Sequence, residues 1–101
     1  MIAQTLLDRV PIARACERYG VARLRVFGSA LTDRFDPERS DVDFLVDYTP
    51  EAERTFRALF ALRAELEQIV GRPVDLLDAR TIRNPYFARS VLDSAQDVYA
   101  A

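Results

Sequence analysis

Val26-Phe27-Gly28-Ser29, followed after a polar interval by Ser40-Asp41-Val42-Asp43-Phe44-Leu45-Val46-Asp47, is the stretch whose reading decides the fold. Asp41 and Asp43 stand two apart in a run otherwise built of Val, Phe and Leu. The period of a strand puts both carboxylates on one face, roughly 6–7 Å apart along the backbone. At about 4 Å two such charges repel by about 4 kcal/mol at a surface-like dielectric, so the pair becomes favourable mainly when a divalent cation sits between them. Ligands that are all oxygen point to magnesium or manganese. Val42, Phe44 and Val46 take the other face, which is expected to pack under helices while the acidic face opens to a cleft.

The residues just upstream supply the complement of a metal pair. A strand over Val21–Phe27 runs into Gly28, where a missing Cβ lets a ligand approach the backbone, and then into Ser29, a good helix cap. A short helix over Ala30–Arg34 would aim its free amides and the Ser29 hydroxyl at an anion. Arg34 and Arg39 flank this point, and guanidinium suits bidentate phosphate contacts, so Arg39 joins Gly28 and Ser29 as a candidate nucleotide ligand. A plain solvated loop is the competing reading for Thr32–Ser40.

Working outward, Thr49-Pro50-Glu51 reads as a helix start, with an apolar stripe through Phe56, Leu59, Phe60, Leu62, Leu66 and Val70 that stops at Gly71. That stripe is expected to be core. Arg72-Pro73 leads into a third strand, Val74 to Leu77. If it lies beside the strand of Asp41 and Asp43, Asp75 faces the same cleft, and Asp78, of opposite parity, is a turn or cap residue. Asn84-Pro85 starts a last helix, with Tyr86, Phe87, Val91 and Leu92 expected to face inward, and Asp97-Val98-Tyr99-Ala100 reads as an edge strand or a helix extension. At the amino end, residues 2–19 are helical in spacing, with Pro11 opening a second short helix in its first turn and Cys16 a small core residue.

Composition removes whole chemistries. All 14 basic residues are Arg, with no Lys and no His. There is consequently no His-assisted nucleophile, no histidine zinc site, no P-loop lysine and no Schiff base. One cysteine cannot make an internal disulfide, and the chain shows neither signal peptide nor spanning apolar run, so it reads as cytoplasmic and without membrane contact. A net charge of −2 argues against polynucleotide as substrate. With 101 residues there is room for a single domain, residues 1–101, and no second lobe to enclose a small acceptor such as an aminoglycoside. The order helix, strand, strand, long helix, strand, helix predicts an α/β (α+β) fold, a small mixed sheet with helices on one face and the acids on the other.

At Gly28-Ser29, Asp41-Val42-Asp43 and the later Asp75 strand, about a third of the chain, the sequence resembles the minimal nucleotidyltransferases of the DNA polymerase β-like superfamily. The antitoxin-type members are the most similar, although the eleven residues Ala30 to Ser40 exceed their usual spacer by one. The resemblance implies a nucleotidyltransferase core in which Asp41, Asp43 and Asp75 hold Mg2+ or Mn2+ and Gly28, Ser29 and Arg39 hold a nucleoside triphosphate, ATP above others. It further implies transfer of AMP to a hydroxyl, expected to be a tyrosine of a helical HEPN-type toxin that is the partner. A non-catalytic module that neutralises its partner by contact alone is the alternative. Homo-oligomerisation is left open by the sequence.

Overall fold

The computed structural model describes residues 2–101. Helix α1 (Arg9–Arg18) follows a 3-10 turn at Gln4–Leu6, and strand β1 (Val21–Phe27) ends in another at Gly28–Leu31. Then come β2 (Val42–Tyr48), α2 (Phe56–Val70), β3 (Val74–Asp78), a third 3-10 turn at Ala79–Thr81, α3 (Pro85–Ser94) and β4 (Gln96–Ala100). The strands form one four-stranded sheet in the order β3-β2-β1-β4. β2 and β4 run antiparallel to β1, while β3 is parallel to β2, so the sheet is mixed as expected.

Alternation decides what each face does. Leu24 and Val26 of β1 pair with Val46 and Phe44 of β2, and all four are buried. They pack with Ile12 and Cys16 of α1 and Leu62, Leu66 and Val70 of α2 into one core. The opposite parity places Phe27, Asp43, Leu45, Asp75 and Leu77 together on the second face. α3 begins beside that face, where Phe87 lines a cavity with Phe27, Asp43, Asp75 and Leu77.

Pro11 lies in the first turn of α1, where it removes no helical hydrogen bond, and the Asp8 carboxylate caps that helix at Val10 N. The start of α2 differs from expectation. Thr49-Pro50-Glu51 forms a turn instead, closed by the Ala52 amide on the Thr49 carbonyl at 3.1 Å, while the Thr49 amide donates to the Gly20 carbonyl at 2.8 Å. Thr55 is the real cap, its hydroxyl accepting from Ala58 N at 3.1 Å. Thr55→Ala should therefore lower unfolding stability in urea by about 1 kcal/mol; a comparable loss at Thr49 with none at Thr55 would put the helix start back at Thr49.

The aromatic stripe is corrected as well. α2 buries Ala58, Leu62, Leu66 and Val70, spaced by four, which leaves Phe56 and Phe60 on the far side, 80% and 54% exposed. In α3 only Val91 is buried, and Tyr86, Phe87 and Leu92 are exposed rather than inward. Both helices are apolar over more than one face, and a sheet this small has surface to cover only one of them. The terminal residues do form an edge strand, β4 against β1, and Asp78 does act as a cap, accepting from Arg80 N.

Candidate active site

The parallel pairing of β2 with β3 makes Asp43 and Asp75 register partners, and Asp43 is also opposite Phe27 of β1. Three strands thus converge on one carboxylate. Asp43 is half-buried, whereas Asp75 and Asp41, the latter one residue ahead of β2, are exposed. Burial, the neighbouring Asp75 charge, a hydrogen bond shared with Asp75 and the Asp41 charge together push the Asp43 carboxyl up to about 6. Among the described residues none of these three acids is in an ion pair. Nor, among those residues, are any three His, Cys, Asp or Glu side chains gathered closely enough to hold a metal ion. The structure thus brings Asp43 and Asp75 together as uncompensated hard oxygen donors, the donor chemistry that suits a divalent cation of the magnesium kind, and leaves Asp41 outside their shared cavity.

Gly28 answers to Asp43. Its φ is +75°, and a Cβ built there would stand 2.5 Å from Asp43 Oδ2. The space that a missing Cβ leaves at Gly28, expected to admit a ligand, is used by the Asp43 carboxylate. After Gly28 the chain makes a single 3-10 turn in place of the expected helix over Ala30–Arg34, and Ser29 lies inside the turn without capping it. The Ser29 carbonyl accepts from the Thr32 amide at 3.0 Å and from its hydroxyl at 2.9 Å. The turn is held from behind by the Ile2 amide, which donates to the Ala30 carbonyl at 2.7 Å, both residues being buried.

Gly28, Ser29, Thr32 and Arg34 line a cavity of about 490 Å3 together with Ser94 and Gln96. Asp43 and Asp75, but not Asp41, line another of about 390 Å3, walled by Phe27, Leu77 and Phe87 and open to solvent. Gly28 touches both, through the first cavity's wall and through Asp43. Of the two flanking arginines the fold brings Arg34 beside Ser29. Arg39 stands exposed on the Asp36–Ser40 turn, its amide on the Asp36 carbonyl, and lines neither cavity.

Two positioning residues escaped the sequence reading. Arg72 Nε donates to the Ser40 carbonyl at 2.9 Å and so fixes the backbone immediately before Asp41. Phe87, expected in the core, walls the carboxylate cavity from α3. The signal for Arg72 was its place beside Pro73, whose carbonyl accepts from Val42 N at 2.9 Å and starts the parallel pairing; nothing in sequence alone says which strand that carbonyl meets.

The sequence model of the Nucleotidyltransferase domain family matches residues 12–98. A Methanocaldococcus jannaschii protein provisionally named a protein adenylyltransferase is 32% identical over 75 residues, 74% of each chain. A solved structure provisionally described as a minimal nucleotidyltransferase superposes with a TM-score of 0.76 at 33% identity, covering 95% of both chains. A chain from a complex of a tri-AMPylated Shewanella oneidensis HEPN toxin with an MNT antitoxin shares the fold at TM-score 0.65 and 17% identity, over 96% of this chain and 73% of that one. Among the described residues no helix is long and apolar enough to cross a membrane.

Proposed function

Because this chain belongs to the nucleotidyltransferase domain family, we propose that it is a protein adenylyltransferase that moves AMP from ATP to a hydroxyl on a partner protein, a tyrosine of a HEPN-type toxin, and thereby acts as an antitoxin. One observation carries the reading: Asp43 and Asp75, aligned on adjacent parallel strands, share one cavity, with the Gly28 backbone against the Asp43 carboxylate. The substrate and partner are those in the names of the similar proteins, an adenylyltransferase and an AMPylated HEPN toxin.

Asp41, Asp43 and Asp75 would hold the divalent ions, Mg2+ or Mn2+, which when bound neutralise phosphate charge and lower the pKa of the attacking hydroxyl. The rest falls to the chain's own groups. Gly28 and Ser29 offer backbone and hydroxyl to the triphosphate, and Arg34, in the same cavity, supplies the guanidinium sought at Arg39. Asp75, exposed on the outer strand, takes the proton of the acceptor hydroxyl as its oxygen attacks the α-phosphorus. The bond to the β-phosphate oxygen breaks and pyrophosphate leaves. Catalysis of this kind is positioning and charge stabilisation, without a covalent enzyme intermediate. Phe27, Leu77 and Phe87 give the acid cavity apolar walls beside the carboxylates.

Incubated with ATP, magnesium and a HEPN-type partner encoded beside it, the protein should increase the partner's intact mass by one or more AMP units, located on tyrosine by fragmentation. Asp41→Ala and Asp43→Ala should each abolish the addition. If the partner's mass never changes while its toxicity is still blocked, by the double variant as well as by the wild type, neutralisation is by contact and the transfer reading fails.

A further inference from the structure

β3 is an outer strand of the sheet, paired among the described residues to β2 alone. Its backbone directions follow from two hydrogen bonds. The Pro73 carbonyl faces β2, accepting from Val42 N, whereas the Val74 amide faces away and donates to Glu67 Oε2 at 2.9 Å. With a period of two, Val74, Leu76 and Asp78 then present their amides and carbonyls outward. The Asp78 carbonyl is taken by the Thr81 hydroxyl at 2.8 Å. Between two occupied positions Leu76 is left as the outward residue available for pairing, directly adjacent to Asp75.

A cavity lies on either side of this edge. On the acid face is the one that holds Asp43 and Asp75; on the other face is one of about 480 Å3 lined by Tyr48, Phe56, Leu59 and Asp78 among others. Leu76 and Leu77 belong to both linings. A strand laid against the edge sends successive side chains to opposite faces. One would enter the acid cavity and its immediate neighbours the apolar one, whose exposed Phe56 stacks on Phe60 at 6.4 Å between ring centroids.

Charge narrows the occupant. From Ala79 to Leu92 the chain carries no acidic residue but does carry Arg80, Arg83 and Arg89, all exposed and, among the described residues, in no ion pair, interleaved with exposed Tyr86 and Phe87. In a chain of net charge −2 this is a local basic border around an apolar edge. It complements an acidic protein segment.

We propose that the acceptor docks as an added strand on the outer edge of β3, in extended conformation, with its hydroxyl residue directed into the acid cavity, apolar residues on either side of it directed into the Phe56 cavity, and acids beyond them facing Arg80 and Arg83. This rests on the transfer reading above and supplies its specificity: recognition is by backbone pairing at Leu76 and by a pattern of side chains. The placement also explains why Phe56, Leu77 and Phe87 remain outside the core.

The test uses the intact protein and the peptide acetyl-Glu-Glu-Val-Tyr-Val-Glu-Glu-amide at millimolar concentration. Binding should slow hydrogen exchange at the Leu76 amide by about tenfold or more, as for an amide newly paired in a sheet. Backbone N-methylation of the peptide at two adjacent residues should have opposite effects, one position abolishing binding and the next tolerating it. Unchanged Leu76 exchange, or equal effects at both positions, overturns the proposal. So does a result in which single-stranded oligouridylate, and not the peptide, perturbs Tyr86 and Phe87, since the basic border would then serve RNA. Leu76→Pro removes the outward amide at an edge position that tolerates proline, and should raise the KM for the acceptor. Transfer of AMP to the peptide is followed in parallel. Transfer without Leu76 protection removes the docking mode and keeps the activity, whereas protection without transfer keeps the docking and removes the activity toward this acceptor.

Discussion

Asp43→Asn is expected to lower nucleotide transfer by on the order of a thousandfold while leaving the protein folded, because it removes the charge on which three strands converge. The same change should stabilise the protein when no metal is present. The folded-state pKa of Asp43, about 6, lies above the ordinary 3.8, so between these values the folded chain binds a proton that the unfolded chain has lost. Stability from this group is full below pH 3.8 and is lost as pH rises through about 6. At pH 7.5 the asparagine variant, never charged, should exceed the wild type by about 1–2 kcal/mol, a figure reduced for the partial exposure of the group. The difference should vanish near pH 3.5. Millimolar magnesium with ATP should raise the wild-type melting temperature and leave the variant's nearly unmoved. Equal shifts in both proteins would mean that Asp43 is not a ligand, and a variant less stable than wild type at every pH would mean that its carboxylate is structural.

Gly28→Ala is expected to do comparable damage by a different route. Two costs meet at this position: the left-handed φ of +75°, and a Cβ within 2.5 Å of Asp43 Oδ2. The first is backbone strain of about 1 kcal/mol. The second moves the carboxylate, and displacements on the order of 1 Å in a reacting centre cost about a hundredfold in rate. Gly71 separates the two. It ends α2 with a nearly equal φ of +71° and has nothing within 4 Å of a built Cβ. Gly71→Ala should therefore lose about the same stability in urea and keep its transfer rate. If both variants lose activity alike, the effect of Gly28 is strain transmitted through the fold and its fit to Asp43 is irrelevant.

The alternation in Asp41–Asp47 and the parity of Asp75 were readable because strand geometry is local: neighbouring side chains point oppositely whatever the rest of the chain does. The same applies to Gly28 as a special backbone position and to Asp78 as a cap. Helix starts were less secure. Thr49 and Thr55 are equally good caps by residue type, and it is Thr55 whose hydroxyl accepts from Ala58 N, while Thr49 closes a turn tied to the distant Gly20. Ser29 gave a cap signal too, but the chain turns away after a single 3-10 turn whose carbonyl at Ala30 is tied to Ile2.

What the sequence determined by itself is the chemistry available: carboxylates, hydroxyls and guanidinium groups, no imidazole and no amine side chain, and the face of the strand that Asp43 takes. Tertiary structure decided their partners. Only the parallel pairing of β3 beside β2 sets Asp75 opposite Asp43, only the packing of α1 and α2 on one sheet face leaves Phe56 and Phe60 outside, and only the path of the loop after β1 puts Arg34 and not Arg39 in the cavity lined by Ser29. The physical reason is that residue type and period act within a few positions of the chain, whereas the free energy that chooses among strand neighbours and helix faces comes from contacts between residues dozens of positions apart.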